Sequence, residues 1–198
     1  MPKLVNHAER KQKIAEAAWR VIRRDGLHGV SVRRVAEEAG MSLGSLRYYF
    51  DSQDDLLAYA MRLLSERAEA RIRGLPFNRE PRHDIGLVIE ELLPLDDVRL
   101  LEAEVWLAFA GTAVSNPVVR AITREVHDQL QDLFAQLIGL LAETGLAKEG
   151  IDPGLEAGRL HALVDGLVVH HTTCPDRLER ERMRRIVSHH LDQLLRDE

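Results

Sequence analysis

The chain has 198 residues with a formal net charge of −5, of which 45% are hydrophobic and 30% charged, a composition typical of a folded, soluble protein of one or two domains. No apolar run approaches the roughly 18 residues that a membrane span requires, and the first residues lack the apolar segment of a secretory signal. The single cysteine, Cys174, excludes an intrachain disulfide, so we expect a cytoplasmic protein with no membrane partner.

The first part of the chain predicts three helices of decreasing length. Apolar residues at helical spacing predict a helix over residues 7–25, which ends at Gly26. Ser31 and Gly40 bound a second helix, and Ser42 can cap a short third helix. Because the turn between the second and third helices is very short, the pattern indicates a helix-turn-helix, whose last helix enters the major groove of DNA.

The third helix has one apolar side and one side suited to DNA. Leu46 and Phe50 share the side that we expect to face the core. On the other side, the small Gly44 and Ser45 allow close approach to DNA, and the guanidinium of Arg47 can read guanine. The hydroxyl groups of Tyr48 and Tyr49 can form hydrogen bonds with phosphate. The alternative is that the tyrosines only pack the small domain.

Charge is distributed unevenly along the chain. Residues 1–50 hold ten Lys or Arg against five Asp or Glu, whereas the remainder holds 17 against 27. A basic segment joined to an acidic body predicts a polyanionic partner, double-stranded DNA, for the N-terminal part. Ordinary solvated helix faces are the alternative explanation.

The stretch SVRRVAEEAGMSLGSLRYYFDSQDDLL, which begins at Ser31, resembles the DNA-binding signature of the TetR family of transcriptional regulators. The similarity extends upstream through IAEAAWRVIRRDGLHGVS. The resemblance implies base contacts from the second helix and the start of the third, and phosphate contacts from the tyrosines. The full set of residues expected to contact DNA is Arg33, Ser42, Leu43, Gly44, Ser45, Arg47, Tyr48 and Tyr49.

The chain departs from the family pattern at three positions. Arg47 stands where the family usually has Tyr or Phe, which implies a different base preference. Asp51 and Gln53 stand where the family often has lysines that hold phosphate. Lys3, Lys11 or Lys13 are the candidates to replace those lysines.

Helical patterns continue to the end of the chain. Ser52 and Asp55 give a capping-box-like start to a fourth helix over 53–72, and a linker rich in Gly and Pro follows at 74–83. Start and stop signals then predict helices over 84–93, 96–115, 117–144, 154–173 and 175–196. The predicted fold is all-α, with a helix-turn-helix domain at 1–52, a connecting helix at 53–74 and an effector-binding and dimerisation domain at 75–198.

The segment GIDPGLEAGRLHALVDGLVVHH, which begins at Gly150, resembles the C-terminal domain of the BetI-like branch of that family, and VWLAFAGTAVSNPVVR is similar to its upstream helix. Apolar faces on the last two predicted helices make them candidates for a homodimer interface, with Leu155, Leu163, Gly166, Leu167, Ile186 and Leu194 as its residues. A dimer would also place two helix-turn-helix units on a palindrome with half-sites ~34 Å apart. The alternative is that these faces only close the core of one subunit.

Six residues are candidates for a small-molecule effector site: Trp106, Phe109, His127, Phe134, Leu137 and Asp165. The BetI-like resemblance implies a choline-type cation, which would favour aromatic faces and a carboxylate. The alternative is that Trp106 and Phe109, three residues apart on one helix, are core residues.

Metal and enzyme sites are not expected. His161 and His170 share one predicted helix, and Cys174 follows four positions after His170. The histidines are nine positions apart, which puts them on opposite sides of the helix, so we expect no metal or other cofactor. The chain has no Gly-rich phosphate loop, nucleophile elbow or HExxH motif. We expect a ligand-responsive transcriptional regulator, most simply a repressor, against two alternatives: a helical interaction module that does not bind DNA, and a small helical enzyme.

Overall fold

The computed structural model describes residues 7–196, and the all-α prediction is confirmed over that range. The only β feature in the described part of the chain is an isolated bridge between Ala147 and Leu195. The helices are α1 His7–Asp25, α2 Val32–Glu38, α3 Leu43–Arg47, α4 Gln53–Arg73, α5 Pro81–Glu91, α6 Asp97–Ala113, α7 Pro117–Glu143, α8 Pro153–Thr173 and α9 Arg180–Leu194, with a 3-10 turn at Leu27–Gly29 between α1 and α2. Over residues 7–196, none of the helices pairs the length with the apolar composition that crossing a bilayer would demand.

The helices form two compact units. Within the described residues, the first unit contains residues 7–67 and 104–124, and the second contains residues 68–103 and 125–196. Three long helices, α4, α6 and α7, therefore begin in one unit and end in the other.

The core of the first unit is built on the apolar face of α1. Trp19 is almost fully buried on this face, and its indole N–H donates a hydrogen bond of 3.0 Å to the carbonyl oxygen of Ala60 on α4. The guanidinium of Arg67 lies 4.7 Å from the centre of the Trp19 ring and also forms an ion pair with Glu16. Helices α1 and α4 are thus joined by a buried hydrogen bond, a cation–π contact and an ion pair.

In the second unit α9 packs against α5 and α8, and the buried faces of α7 and α8 add Phe134, Ile138, Leu160 and Val164 to the core.

Arginines join the helices of the second unit at their polar ends. Arg71, in the last turn of α4, contacts Glu102 at 2.8 Å and Glu91 at 2.8 Å, and Arg99 contacts Glu91 at 3.1 Å. The last turn of α4 is therefore held to α5 and α6 by charged hydrogen bonds.

Two predicted helix starts are wrong by three residues or more. Helix α5 begins at Pro81 rather than at residue 84, because Asp84 instead accepts hydrogen bonds from the backbone N–H groups of Asn78 and Arg79 and closes the preceding loop. Helix α9 begins at Arg180 rather than at Pro175, because the carbonyl oxygen of Leu178 lies 2.7 Å from Nδ1 of the buried His171 and holds that segment as a turn.

The C-terminal end of α9 also differs from the prediction. The helix ends at Leu194 rather than at residue 196. The N–H of Lys148 donates to the carbonyl oxygen of Leu194, and the N–H of Arg196 donates to the carbonyl oxygen of Leu146, each at 2.9 Å. This pairing with the segment after α7 takes the last residues out of the helix.

Candidate functional sites

Helix α3 is anchored by its apolar side, as predicted. Leu46 is 0% exposed and Phe50 is 4% exposed. Ser42 caps the helix, because its hydroxyl oxygen accepts a hydrogen bond of 3.0 Å from the N–H of Ser45. Gly40, in the turn before α3, has a φ of 66°, a left-handed conformation that glycine adopts without strain. The turn and the two anchors together fix how α3 is presented.

The opposite side of α3 is open to solvent. We call it the α3 face, and its residues are Ser42, Leu43, Gly44, Ser45, Arg47 and Tyr48, all of them exposed. Tyr48 is 75% exposed. A Cβ added to Gly44 would meet only the Ser42 hydroxyl, at 3.9 Å, so the packing of the first unit does not require a glycine there. The absence of a side chain at Gly44 leaves room for an external partner.

The two tyrosines have different environments. The Tyr48 and Tyr49 rings meet edge to face at 5.2 Å, and Tyr49 is half-buried. The ring of His7, at the start of α1, lies 4.8 Å from the Tyr49 ring and 5.9 Å from the Tyr48 ring. Tyr49 therefore fits the packing alternative in part, whereas Tyr48 does not. His7 belongs to this aromatic cluster and had no signal in the sequence.

The lysines proposed as replacements have different positions. The amine of Lys11 lies 5.3 Å from the centre of the Phe50 ring and 5.6 Å from that of Tyr59, so it already takes part in cation–π contacts. Lys13 is exposed on α1, and Lys3 lies outside the described residues. Asp51 and Gln53 are exposed.

Several arginines of the basic N-terminal part are paired with acids. Glu38 accepts hydrogen bonds from Arg20 at 2.7 Å and from Arg24 at 3.0 Å, and these two guanidinium groups hold the pKa of Glu38 below its usual value. Arg24 and Arg34 also face Asp25, at 3.1 and 3.8 Å.

Two arginines expected to read DNA lie on exposed surfaces. The Arg33 side chain is 80% exposed and contacts Glu37 at 3.1 Å, one helical turn away on α2. Within residues 7–196, the guanidinium of Arg47 forms no ion pair. The free positive charge of α3 is thus at the residue expected to read a base.

The six effector candidates do not form one group. Trp106 and Phe109 belong to the first unit, where Phe109 is fully buried. Leu137 belongs to the second unit and lies in a shallow surface hollow lined only by α7 residues within 132–143. The other three, His127, Phe134 and Asp165, meet around His161.

We call the group formed by His127, Gln131, Phe134, His161 and Asp165 the His161 site. His161 is 4% exposed, and its ring stacks on His127 at 4.7 Å and packs against Phe134 at 5.0 Å. Its Nδ1 lies 3.0 Å from Oε1 of Gln131. Its Nε2 is buried without a hydrogen-bond partner among the described residues, and the closest acid is Oδ2 of Asp165 at 3.7 Å.

Burial dominates the electrostatics of the His161 site. Burial and the nearby His127 lower the pKa of His161, although Asp165 acts in the opposite direction. Burial raises the pKa of Asp165 against the effect of both histidines. The sequence had singled out His161 only as a candidate metal ligand, together with His170 and Cys174. The structure buries His161 and exposes His170 and Cys174. Among the described residues, no three His, Cys, Asp or Glu side chains lie close enough together to hold one metal ion.

The dimer candidates also divide by exposure. Leu155 is 63% exposed, whereas Leu163, Gly166 and Ile186 are intermediate. The structure turns Leu167 and Leu194 into the core of the second unit, which agrees with the alternative explanation for those two residues. A line of apolar and small residues remains at the surface of α8, exposed except for the intermediate Gly166. We call it the α8 stripe: Leu155, Ala162, Gly166 and Val169. A Cβ added to Gly166 would meet nothing within 4 Å.

The chain matches two family models. Residues 14–60 match the model described as bacterial regulatory proteins, tetR family, and residues 81–196 match the model described as BetI-type transcriptional repressor, C-terminal. The HTH-type transcriptional regulator PksA of Bacillus subtilis is 38% identical over 195 residues, which cover 98% of this chain and 94% of that protein. The HTH-type transcriptional regulator BetI 2 of Chromohalobacter salexigens is 31% identical over 199 residues, covering 98% and 93% of the two chains.

Solved structures of regulators are also similar. A transcriptional regulator from Rhodococcus sp. Rha1 has a TM-score of 0.79 at 27% identity, over 93% of this chain and 95% of that one. A regulator from Saccharomonospora viridis, solved in complex with choline, has a TM-score of 0.81 at 26% identity, over 96% of this chain and 100% of that one.

Proposed function

Since the chain belongs to the TetR family of bacterial transcriptional regulators and carries a BetI-type C-terminal domain, we propose that it is a repressor that leaves a palindromic operator when a small-molecule effector binds. The observation that carries the DNA-binding part of the proposal is the α3 face, which is held outward by the buried Leu46 and Phe50. We assign operator binding to residues 1–52, the connecting helix to residues 53–74, and effector binding and dimerisation to residues 75–198.

We assign the DNA contacts by chemistry and exposure. Arg47 reads a base, because its guanidinium is exposed and is not held by an acid of the described chain. Gly44 and Leu43 lie against the base edges, and Arg33 of α2 contributes from beside them. Tyr48 bonds phosphate through its exposed hydroxyl, and the half-buried Tyr49 supports it. Ser42 and Ser45, whose hydroxyl groups lie 2.8 Å apart, hold the start of α3 in place.

We propose that two copies pair through the α8 stripe, with Leu163 and Ile186 beside it. Leu167 and Leu194 support this surface from behind rather than contacting the partner, since both are buried within the unit. The open space around Gly166 permits the close approach of a second helix. A twofold pair presents two α3 faces, as a palindromic operator requires.

We place the effector in the second unit, at the His161 site. The regulator from Saccharomonospora viridis, a similar structure, holds choline. Here Asp165 is a half-exposed carboxylate whose pKa is raised by burial, so a cation beside it would relieve the cost of its charge. Of the other predicted effector residues, His127 and Phe134 form the walls of the site, while Leu137 lies on the outer side of α7.

The proposed mechanism is linkage between two binding events. An effector changes operator affinity only if it prefers one arrangement of the protein and DNA prefers another. Helix α4 is the candidate carrier, because it begins in the first unit and its last turn is bonded through Arg71 to Glu91 and Glu102 in the second. We further propose that the protein acts in the cytoplasm and has no catalytic activity.

The test is to let the purified protein select fragments of genomic DNA, to sequence them, and to measure binding to the selected duplex over a range of salt concentrations. We expect a shared palindrome and an association constant that falls linearly with salt on logarithmic axes, because phosphate contacts release counterions. Failure to select or bind any duplex would favour the interaction module, which does not bind DNA. Turnover of a metabolite that is lost in Asp165→Asn or His127→Phe would favour the enzyme.

A further inference from the structure

A buried nitrogen without a hydrogen-bond partner and a partly exposed carboxylate face each other in the His161 site. Oδ2 of Asp165 lies 3.7 Å from Nε2 of His161, which is too far for a direct hydrogen bond. The Nε2 atom is buried and has no other partner among residues 7–196. A buried polar atom without a partner costs free energy, so this position calls for a group from outside the described chain.

The contact of Nδ1 with Gln131 indicates which nitrogen of His161 carries the proton. Nδ1 lies 3.0 Å from Oε1 of Gln131, and a proton on Nδ1 makes this contact a hydrogen bond to a carbonyl oxygen. Burial lowers the pKa of His161, which keeps the ring neutral near pH 7. A neutral ring with its proton on Nδ1 has a lone pair on Nε2. The site therefore presents a lone pair and a carboxylate, and no described residue donates a hydrogen bond to that lone pair.

A group that satisfies both acceptors must donate at least one hydrogen bond and should carry positive charge. The Asp165 carboxylate supplies the opposite charge, and its side chain is 43% exposed, so the carboxylate is accessible from solvent. The aromatic groups packed against His161 are the Phe134 ring and the His127 imidazole. These provide apolar walls but few of the aromatic faces that a cation without donors needs.

Building on the proposed effector function, we propose that the His161 site selects an organic cation that carries at least one N–H, a protonated amine, over a quaternary ammonium. The N–H donates to Nε2 of His161, and the cationic nitrogen lies against the Asp165 carboxylate. A fully methylated nitrogen leaves Nε2 unsatisfied and brings a methyl group against it. A hydrogen bond to a charged group contributes enough for about a ten- to hundred-fold preference.

The experiment uses the full-length protein and four probes with one carbon skeleton: ethanolamine, N-methylethanolamine, N,N-dimethylethanolamine and choline. All four are cations at pH 7 and all carry the same hydroxyl group, so only the number of N–H groups changes along the series. Isothermal titration calorimetry measures the Kd of each. We expect the first three to bind within a few-fold of one another and choline to bind at least about ten-fold more weakly.

Variants test which residues cause the selectivity for N–H cations. His161→Phe keeps an aromatic ring at this position but removes the Nε2 acceptor, so the three N–H cations should bind as weakly as choline. Asp165→Asn should weaken all four. His170→Phe is the matched control, because His170 is an exposed histidine on the same helix, and it should change nothing. The wild-type series tests the proposal even if a variant of the buried His161 fails to fold.

Three results would overturn the inference: choline binding as tightly as the N–H cations, no binding of any probe, or discrimination that survives in His161→Phe. Binding of the selected operator duplex is measured on the same samples. Loss of DNA binding in the wild type would refute the proposed function, whereas operator binding without amine selectivity would refute only this inference.

Discussion

At the scale of single residues, Arg47 provides the sharpest test of the DNA interface. The guanidinium is exposed on α3, next to a glycine that leaves room for DNA. We expect Arg47→Ala to cost roughly 1–3 kcal/mol of operator affinity and to relax the preference at one base pair in each half-site. Fluorescence anisotropy with a panel of single-substitution operators measures both.

The matched control for Arg47→Ala is Arg20→Ala, because Arg20 is an exposed arginine that is already bonded to Glu38. It should leave the base preference unchanged. If Arg47→Ala instead weakens binding equally on every sequence and lowers the salt slope, Arg47 contacts phosphate rather than a base.

The sequence predicted individual residues well where the signal was local. The caps at Ser31 and Ser42 are present, because each side chain accepts a hydrogen bond from the backbone N–H only three residues further along the chain. The role of His161 could not be seen in the same way. It depends on the register between α7 and α8, which places His127, Gln131 and Phe134 against a histidine about thirty residues away in sequence.

At the scale of helices, α8 has two different faces. One face carries His161, Val164 and Leu167 into the core, and the other carries the α8 stripe. We expect Gly166→Arg to leave each subunit folded, because the position has open space and arginine is about 1 kcal/mol more favourable than glycine within a helix. The same change places a charge in the proposed interface, so light scattering should report a monomer with weakened operator binding.

The control for Gly166→Arg is Val98→Arg, which changes an exposed apolar residue of α6 outside the α8 stripe. This variant should remain a dimer. If the Gly166→Arg protein is still a dimer at micromolar concentration, the dimer interface lies outside the α8 stripe.

Helix boundaries show where local signals were insufficient. A proline normally begins a helix well, and Pro175 therefore predicted the start of α9. The helix begins five residues later because the Leu178 carbonyl is drawn to the buried ring of His171, a contact with α8 that the sequence pattern does not encode. Similarly, Asp84 looked like a helix start but closes the loop that precedes α5.

At the scale of the whole molecule, buried histidines should make the protein sensitive to acid. The pKa values of His161 and His190 are both lowered, chiefly by burial, so below about pH 6.5 the unfolded chain binds protons that the folded chain does not. Stability should therefore fall as the pH drops below that value. Asp165 acts in the opposite direction, because its pKa is raised and its protonation favours the folded state.

A substitution at His190 can show how much of the loss of stability at acid pH comes from this one histidine. Arg159 and His189 lower its pKa further, and only Glu156 raises it. We expect His190→Leu to lose less stability than the wild type between pH 7.5 and 5, measured as Tm by differential scanning calorimetry. His170→Leu, which changes an exposed histidine that does not act on the pKa of His190, should keep the wild-type slope. Equal slopes in all three proteins would mean that His190 is not the source of the acid sensitivity.

The acid partners of the N-terminal arginines have a consequence for how the protein searches a chromosome. Glu38 and Asp25 neutralise much of the charge of Arg20, Arg24 and Arg34, so fewer cations remain to displace counterions from arbitrary duplex. Random genomic sites outnumber any operator by many orders of magnitude, and weak attachment to them leaves more molecules available for the true target. A protein present in few copies can then occupy its operator without being titrated by bulk DNA.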